Sequence, residues 1–136
     1  MAARKRSSAR QEPALPHLHE LETEVMEQLW SVEEATVRAV MDALNERTSK
    51  KRAYTTYMTI MARLHQKGVL DRRREGKTDV YRPKLDRDEF MTARARADVE
   101  GLVAEYGDVA LSHFARQVAS LDPARRRALQ RLARKS

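Results

Sequence analysis

The sequence of 136 residues is poor in several residue types that define particular protein classes. It contains no cysteine, four glycines and four prolines. Without cysteine, a disulfide framework, a thiol nucleophile and a thiolate metal site are all excluded. No run of about 20 apolar residues is present to span a bilayer, and the basic N-terminus lacks the apolar segment of a signal peptide. We therefore expect a soluble protein that stays in the cytoplasm and has no membrane partner.

Catalytic signatures are also absent from the sequence. It has no glycine-rich phosphate loop, no G-x-S-x-G elbow and no H-E-x-x-H motif. The four histidines are His17, His19, His65 and His113, and no carboxylate stands near them at a persuasive metal-ligand spacing. We predict neither an enzyme nor a bound metal or other cofactor, and we interpret the histidines as surface or packing residues.

Positive charge is what the sequence has in excess. There are 27 Lys and Arg residues against 20 Asp and Glu, which gives a formal net charge of +7 at pH 7. Such an excess attracts polyanions. The basic residues cluster in residues 4–10, 47–52 and 72–77. Charge runs are usually solvated faces, but two of these clusters flank one candidate recognition helix, which favours DNA binding.

The candidate recognition helix begins near residue 53 and is the most informative part of the chain. Its apolar residues recur at 3, 4 and 7 residues and share one face, which we expect to be buried: Tyr57, Ile60, Met61 and Leu64. The outer face carries short hydroxyl side chains and Arg63. Near a helix N-terminus, backbone N–H groups and the positive end of the dipole favour approach to phosphates and base edges.

A basic β-hairpin is predicted directly after this helix. Gly68 fits a helix C-cap, where positive φ is common. A first strand begins at residue 69, residues 75–77 make the turn, and Pro83 ends the returning strand. A recognition helix followed by a basic hairpin is typical of the DNA-reading half of a winged helix.

Two amphipathic helices precede these elements and complete the predicted domain. They cover residues 19–30 and 37–47, with Thr36 as the N-cap of the second. We therefore predict a mostly α fold with a small β-hairpin, a winged helix-turn-helix DNA-binding domain over residues 18–84. Residues 1–17 are rich in Arg, Ala, Ser and Pro, which predicts a disordered basic N-terminal arm.

Residues 85–136 show a purely helical pattern and are predicted to form a helical dimerisation domain. Asp122 and Pro123 mark the start of the last helix. About fifty residues of thin amphipathic helix can hardly form a core alone, so we expect burial against a second copy. The alternative is a monomer in which these helices fold back on the DNA-binding domain. The expected dimerisation residues are Phe90, Leu102, Leu111, Phe114, Val118, Leu121, Leu129 and Leu132.

Several stretches of the sequence carry a family resemblance. They are residues 21–30 with the pattern E-x-x-V-M-x-x-x-W, residues 35–40, the Tyr-Thr-Thr-x-Met-Thr recognition helix in residues 53–59, and residues 63–64 and 67–68. The chain thereby resembles the penicillinase repressor family, which includes the methicillin-resistance and copper-responsive repressors. The resemblance covers about residues 18–134 and is weaker in the C-terminal helices.

The resemblance implies a bacterial, nucleoid-associated homodimer that binds a short inverted repeat in double-stranded DNA over a promoter and blocks transcription. Two recognition helices, residues 53–63 of each copy, would read half-sites about 34 Å apart, which predicts a palindromic operator. Base contacts would come from Thr55, Thr56 and Met58, while Tyr54 is equally suited to a phosphate bond or to packing. The full set of expected DNA-contacting residues is Lys50, Lys51, Arg52, Tyr54, Thr55, Thr56, Met58, Thr59, Arg63, Arg73, Arg74 and Lys77.

The inducing signal does not follow from the resemblance. In the β-lactam-responsive members, a membrane sensor protease leads to cleavage at an Asn-Phe peptide, and this chain has Ala97 and Asp98 at that position. The cysteine cluster of the copper-responsive members is absent, which excludes thiolate copper sensing. An upstream sensor or protease is left unidentified, and activation is possible in place of repression. Two other functions stay open: a sequence-tolerant architectural DNA-binding protein and a winged helix used for protein interaction.

Overall fold

The structure, a computed structural model, describes residues 15–135. Its elements in chain order are α1 (Glu20–Val32), β1 (Ala35–Thr36), α2 (Val37–Asn45), α3 (Tyr54–Gln66), β2 (Leu70–Glu75), β3 (Thr78–Pro83), α4 (Arg87–Tyr106), α5 (Asp108–Ala119) and α6 (Pro123–Lys135). This order of helices around a small antiparallel sheet is a winged helix, so the predicted fold class is confirmed. Most of the predicted N-terminal arm lies outside the described residues, and Leu15 packs against the hydrophobic core.

The described residues divide into two compact units, 15–95, here called the head, and 96–135. The division falls inside α4 and not after residue 84, where we expected the domain boundary. Phe90 explains the difference, because it is only 4% exposed and its ring centroid lies 5.5 Å from that of Trp30. We expected Phe90 at a dimer interface, but its side chain belongs to the core of the head and is not available to a second copy.

The core of the head joins the inner faces of its helices to the sheet. Three of the four residues predicted to face inward from α3 are fully buried, and Ile60 packs against them at the edge. Burial of each such side chain contributes roughly 1.5–3 kcal/mol. Side chains with no exposed surface in this core are Val25, Met26, Leu29, Val40, Tyr57, Met61, Leu64 and Leu70.

The sheet has the strand order β1, β3, β2, and both pairings are antiparallel. The predicted hairpin is β2 and β3, with Leu70 opposite Pro83 and Glu75 opposite Thr78. Gly76, in the turn, has φ +61°, a conformation that side chains rarely adopt. Strand β1 was not predicted, because two residues are too few to show the alternation of a strand.

Local signals placed three helix ends correctly, whereas the first two helices end at Val32 and Asn45 and not at residues 30 and 47. The Thr36 side chain accepts a hydrogen bond from the Ala39 backbone N–H at 3.1 Å, as expected of an N-cap. Gly68, just past the end of α3, has φ +83°. The Asp122 carboxylate accepts from the Arg125 backbone N–H at 3.0 Å, and α6 begins at Pro123. In the part of the chain that the structure describes, no helix is both long enough and apolar enough to cross a membrane.

A partly buried ion pair joins the start of α1 to the end of α3. The Lys67 ammonium donates to Oε2 of Glu22 at 2.8 Å, and Glu22 is 2% exposed. The backbone N–H of His19 donates to Oε1 of Glu22 at 3.0 Å. Burial alone would raise the pKa of Glu22, but these two hydrogen bonds outweigh it and the pKa is lowered. The carboxylate is therefore ionised in the folded head.

We predict that Glu22→Gln lowers the free energy of unfolding by about 1–3 kcal/mol at neutral pH, because an amide loses the charge-assisted bond to Lys67. The stabilisation is complete above 4.5, the ordinary pKa of the side chain. It is lost as the pH falls through the lowered pKa of folded Glu22, where the wild type is neutralised too. Urea denaturation at a series of pH values measures the difference.

The matched control is Glu20→Gln, which removes an exposed carboxylate from the same first turn of α1. Its effect is limited to the interaction with the helix dipole, less than about 1 kcal/mol. Equal losses for the two variants would show that the ion pair with Lys67 contributes nothing specific.

Candidate nucleic-acid interface

Helix α3 presents the predicted outer face to solvent. Met58 is 44% exposed although it is apolar and central in the helix, so its side chain is free to contact another molecule. Ala53 at the N-cap offers no side-chain acceptor, which leaves the first backbone N–H groups of α3 suited to an anion. The exposed residues of this face are Tyr54, Thr55, Thr56, Met58, Thr59 and Arg63.

Asn45, the last residue of α2, fixes the loop that leads into α3. Its side-chain amide donates to the Arg52 carbonyl at 3.0 Å, and its Oδ1 accepts from the Arg52 N–H at 3.1 Å. The same Oδ1 accepts from the hydroxyl of the buried Tyr57 at 2.9 Å. One side chain thus holds both the loop and the first turn of α3. Sequence reasoning missed Asn45, because an Asn near a helix end is an ordinary capping residue.

The loop between α2 and α3 brings positive charge to the start of the recognition helix. Lys50 and Lys51 are exposed and Arg52 is half-buried. The Lys51 ammonium donates to the Asn45 carbonyl at 3.2 Å. A guanidinium nitrogen of Arg52 lies 3.8 Å from a carboxylate oxygen of Glu24, so this arginine is partly neutralised. The two lysines are the better placed of the three for phosphate contacts.

Arg38 on α2 adds a cation that the sequence reasoning missed. Its guanidinium carbon lies 5.7 Å from the centroid of the Tyr54 ring, within the range of a cation–π interaction. Both side chains are exposed. The Tyr54 ring is thus neither buried in the core nor isolated, and Arg38 extends the positive surface from α3 to α2.

The wing formed by β2 and β3 carries two of its arginines, Arg73 and Arg74, in ion pairs. The Arg73 guanidinium contacts Glu34 at 2.8 Å and Glu75 at 2.6 Å, and Arg74 contacts Asp79 at 3.2 Å. The hydrogen bond from Arg73 holds the pKa of Glu34 below its usual value. We expected Arg73 and Arg74 to be free for phosphates, but both are engaged by carboxylates in this chain. Of these carboxylates, Glu34 is distant in sequence from its arginine, whereas Glu75 and Asp79 lie two and five residues from the arginines that they contact.

The second unit exposes the apolar side chains that we assigned to dimerisation. Among the described residues, no side chain of α5 or α6 is fully buried. An apolar cleft of about 250 Å³ is lined by Leu102, Tyr106, Val109, Ala110, His113 and Phe114. Of the expected dimerisation residues in this unit, those exposed are Leu102, Leu111, Phe114, Leu129 and Leu132, and those half-buried are Val118 and Leu121.

A winged helix with an exposed, hydroxyl-rich recognition helix and flanking lysines defines a DNA-binding protein of the helix-turn-helix class. Across residues 15–135, no three His, Asp or Glu side chains form a group that could hold a metal ion. The exposed face of α3 and the lysines beside it offer a positively charged surface to a polyanion.

Comparison with known proteins identifies the family. The sequence model of the penicillinase repressor family matches residues 18–135. The transcriptional regulator BlaI of Mycobacterium tuberculosis (strain H37Rv) is 38% identical over 122 residues, which cover 87% of this chain and 86% of that protein. The penicillinase repressor of Bacillus licheniformis is 25% identical over 83 residues, 61% of this chain and 63% of that protein. The chain belongs to the penicillinase repressor family, and it is a DNA-binding transcriptional repressor and not an enzyme.

A solved structure was also found to be similar. The solution structure of the DNA-binding domain of the repressor BlaI is 27% identical in sequence, with a TM-score of 0.49. The match covers 57% of this chain and 93% of that chain.

We predict that Asn45→Ala lowers the free energy of unfolding by about 1–3 kcal/mol, because it leaves the buried Tyr57 hydroxyl without its acceptor. Tyr57→Phe should then cost less in the Asn45→Ala background than in the wild type. The expected coupling energy is about 0.5–3 kcal/mol. Urea denaturation of the four proteins measures it, and strictly additive losses would contradict the assigned bond.

Proposed function

We propose that the chain is a homodimer that binds a palindromic promoter operator and represses transcription until an upstream signal releases it. The observation that carries this proposal is the division of α3 into a buried face and an exposed one. Tyr57, Met61 and Leu64 anchor the helix in the head, while Thr55 and Thr56 face solvent beside its N-terminus. A helix held in this way can enter a major groove without loss of core packing.

The proposed contacts divide into positioning and reading. Lys50, Lys51 and Lys77 neutralise phosphates and set the register of the head on the duplex. Thr55, Thr56 and Met58 read base edges, with the Met58 side chain against a thymine methyl. Residues that complete the interface are Arg52, Tyr54, Thr59 and Arg63, with Arg38 beside Tyr54.

The proposed second copy covers the apolar surface of the second unit, residues 96–135. Leu132 is 61% exposed, and among the described residues the apolar cleft at Phe114 is open to solvent. Apolar area of this kind is stabilised when a symmetric partner buries it. Two heads joined in this way place their recognition helices on half-sites about 34 Å apart, one helical turn of DNA.

We extend the proposal to the location of the protein in the cell and to its release from DNA. Action on a bacterial promoter places the protein in the cytoplasm at the nucleoid. An upstream sensor or protease supplies the signal. Ala97 and Asp98 lie inside α4, where regular helix hinders a protease, so release by cleavage at this peptide is not part of the proposal.

The test is to incubate the purified protein with fragmented DNA of its source organism at near-physiological salt and to sequence the retained fragments. A two-fold symmetric motif with half-sites one helical turn apart supports the proposal and names the regulated promoters. Broad retention without a motif would instead favour a sequence-tolerant architectural protein.

We predict that Thr56→Ala weakens binding to the selected operator by about 1–3 kcal/mol and leaves mixed-sequence DNA almost unaffected, because only a base contact is lost. Lys51→Ala should weaken both duplexes alike and reduce the salt dependence, because only a phosphate contact is lost. Titration of both duplexes with each variant measures the two effects. If the two variants lowered affinity for every duplex equally, Thr56 would not be a base-reading residue.

We also predict that Phe114→Ser shifts the protein toward monomer, because the substitution removes an apolar side chain from the proposed interface. Sedimentation velocity at several protein concentrations measures the shift. The control is Gln117→Ser, on the same helix and also exposed, which should leave the association unchanged. Binding to a single half-site should be retained in both variants, and a wild type that sediments as a monomer at every concentration would refute the dimer.

A further inference from the structure

Two carboxylates hold the guanidinium of Arg73 in the middle of the wing. Nη1 and Nη2 of Arg73 donate to the two oxygens of Glu34 at 2.8 and 3.0 Å. Nε and Nη2 donate to Oε2 of Glu75 at 3.0 and 2.6 Å. Four of the five N–H groups that a guanidinium offers are thus engaged. We call these three side chains the carboxylate clasp.

The carboxylate clasp changes the charge that the wing offers to DNA. One arginine faces two carboxylates, so the three side chains together carry a net charge of −1 in place of the +1 that Arg73 alone would supply. A phosphate could reach Arg73 only by displacing the bidentate Glu34 and the Oε2 atom of Glu75, and charge-assisted bonds of this kind are among the strongest that a guanidinium makes. Without displacement, Glu34 and Glu75 would repel the DNA backbone.

Glu34 connects the carboxylate clasp to a segment of the chain outside the hairpin. Glu75 lies on β2, two residues from Arg73, whereas Glu34 lies 39 residues away, just before β1. The preceding Glu33 has φ +77°, outside the region that residues with a side chain prefer. Its backbone N–H donates to the Leu29 carbonyl at 2.7 Å. The turn that carries Glu34 is therefore held in one conformation from the side of α1.

Stability alone does not account for three side chains in this arrangement. The side chains of Arg73, Glu34 and Glu75 are 47%, 39% and 58% exposed. Exposed ion pairs contribute little to the free energy of folding. Removal of a cation from a DNA-facing hairpin, in contrast, changes the interaction with every duplex.

We propose that Glu34 and Glu75 are positioning residues that withhold Arg73 from the DNA backbone and so reduce the affinity for DNA of any sequence. This inference rests on the proposed binding of DNA by α3 and the wing. Specificity is a difference between two affinities, and a contact common to all duplexes cancels in it, so the discrimination stays with Thr55, Thr56 and Met58. The carboxylate clasp therefore lowers the affinity for the operator and for other DNA by the same factor, without touching a base.

The experiment measures the salt dependence of binding to a mixed-sequence duplex of about 30 base pairs, three helical turns. Each phosphate that a protein neutralises adds about 0.9 to the slope of log affinity against log salt concentration. Four proteins form a cycle: the wild type, Arg73→Gln, the double variant Glu34→Gln with Glu75→Gln, and the triple variant. Comparison of Arg73→Gln in the two backgrounds separates Arg73 from the general effect of removing two negative charges.

We expect Arg73→Gln to leave the slope of the wild type unchanged and to lower the slope of the double variant by about 0.9 for each wing that contacts the duplex. The double variant should also bind the mixed-sequence duplex and the selected operator more tightly, each by about the same factor. A slope that falls by about 0.9 when Arg73→Gln is made in the wild type would overturn the inference. So would an Arg73→Gln effect that is zero in both backgrounds.

Two controls separate this inference from the proposed function. Lys77→Ala, at the tip of the hairpin, should lower the slope in the wild type and in the double variant alike, because Lys77 is outside the clasp. Failure of every protein to bind DNA would refute the proposed function. Normal binding with a normal Lys77 effect, but without the expected difference at Arg73, would refute the clasp alone. Thermal unfolding of each variant establishes that the head is folded.

Discussion

Helix α3 can present one face to DNA only if its other face is held in the core, and this depends on the buried Tyr57. Its ring lies in the core of the head, so its hydroxyl is removed from water and must find an acceptor inside the protein. Asn45 supplies the acceptor and also binds both backbone groups of Arg52. The approach to α3 and its first turn therefore depend on one amide at the end of the preceding helix.

The total charge of the protein differs from the charge at its surface beside α3 and on the wing. A net charge of +7 describes the field that distant DNA experiences. Close to the surface, Lys50 and Lys51 remain exposed beside α3, whereas Arg73 and Arg74 are paired with carboxylates. In the proposed complex, the net charge therefore provides the long-range attraction, while the short-range contacts fall to the exposed lysines.

Signals that act within a few residues made most of the fold predictable from sequence. Thr36 caps α2 and Gly68 ends α3 because each depends only on adjacent backbone. Features that join distant segments were missed: β1 pairs with β3 across more than forty residues and Arg73 reaches Glu34 across 39. Phe90 had the right spacing for a helical seam, but its contact with Trp30 depends on how the chain returns to α1. The outer face of α3 was predicted because helical periodicity alone defines it.

The same periodicity has a consequence for how such a repressor diversifies. Thr55, Thr56, Met58 and Thr59 are all exposed. The buried residues of α3 are spaced four and three residues apart and lie on the opposite face of the helix. Substitutions on the outer face are therefore close to neutral for folding, since surface changes rarely exceed about 0.5 kcal/mol. A duplicated gene can accumulate them one at a time, each intermediate still folding, until its product reads a different promoter.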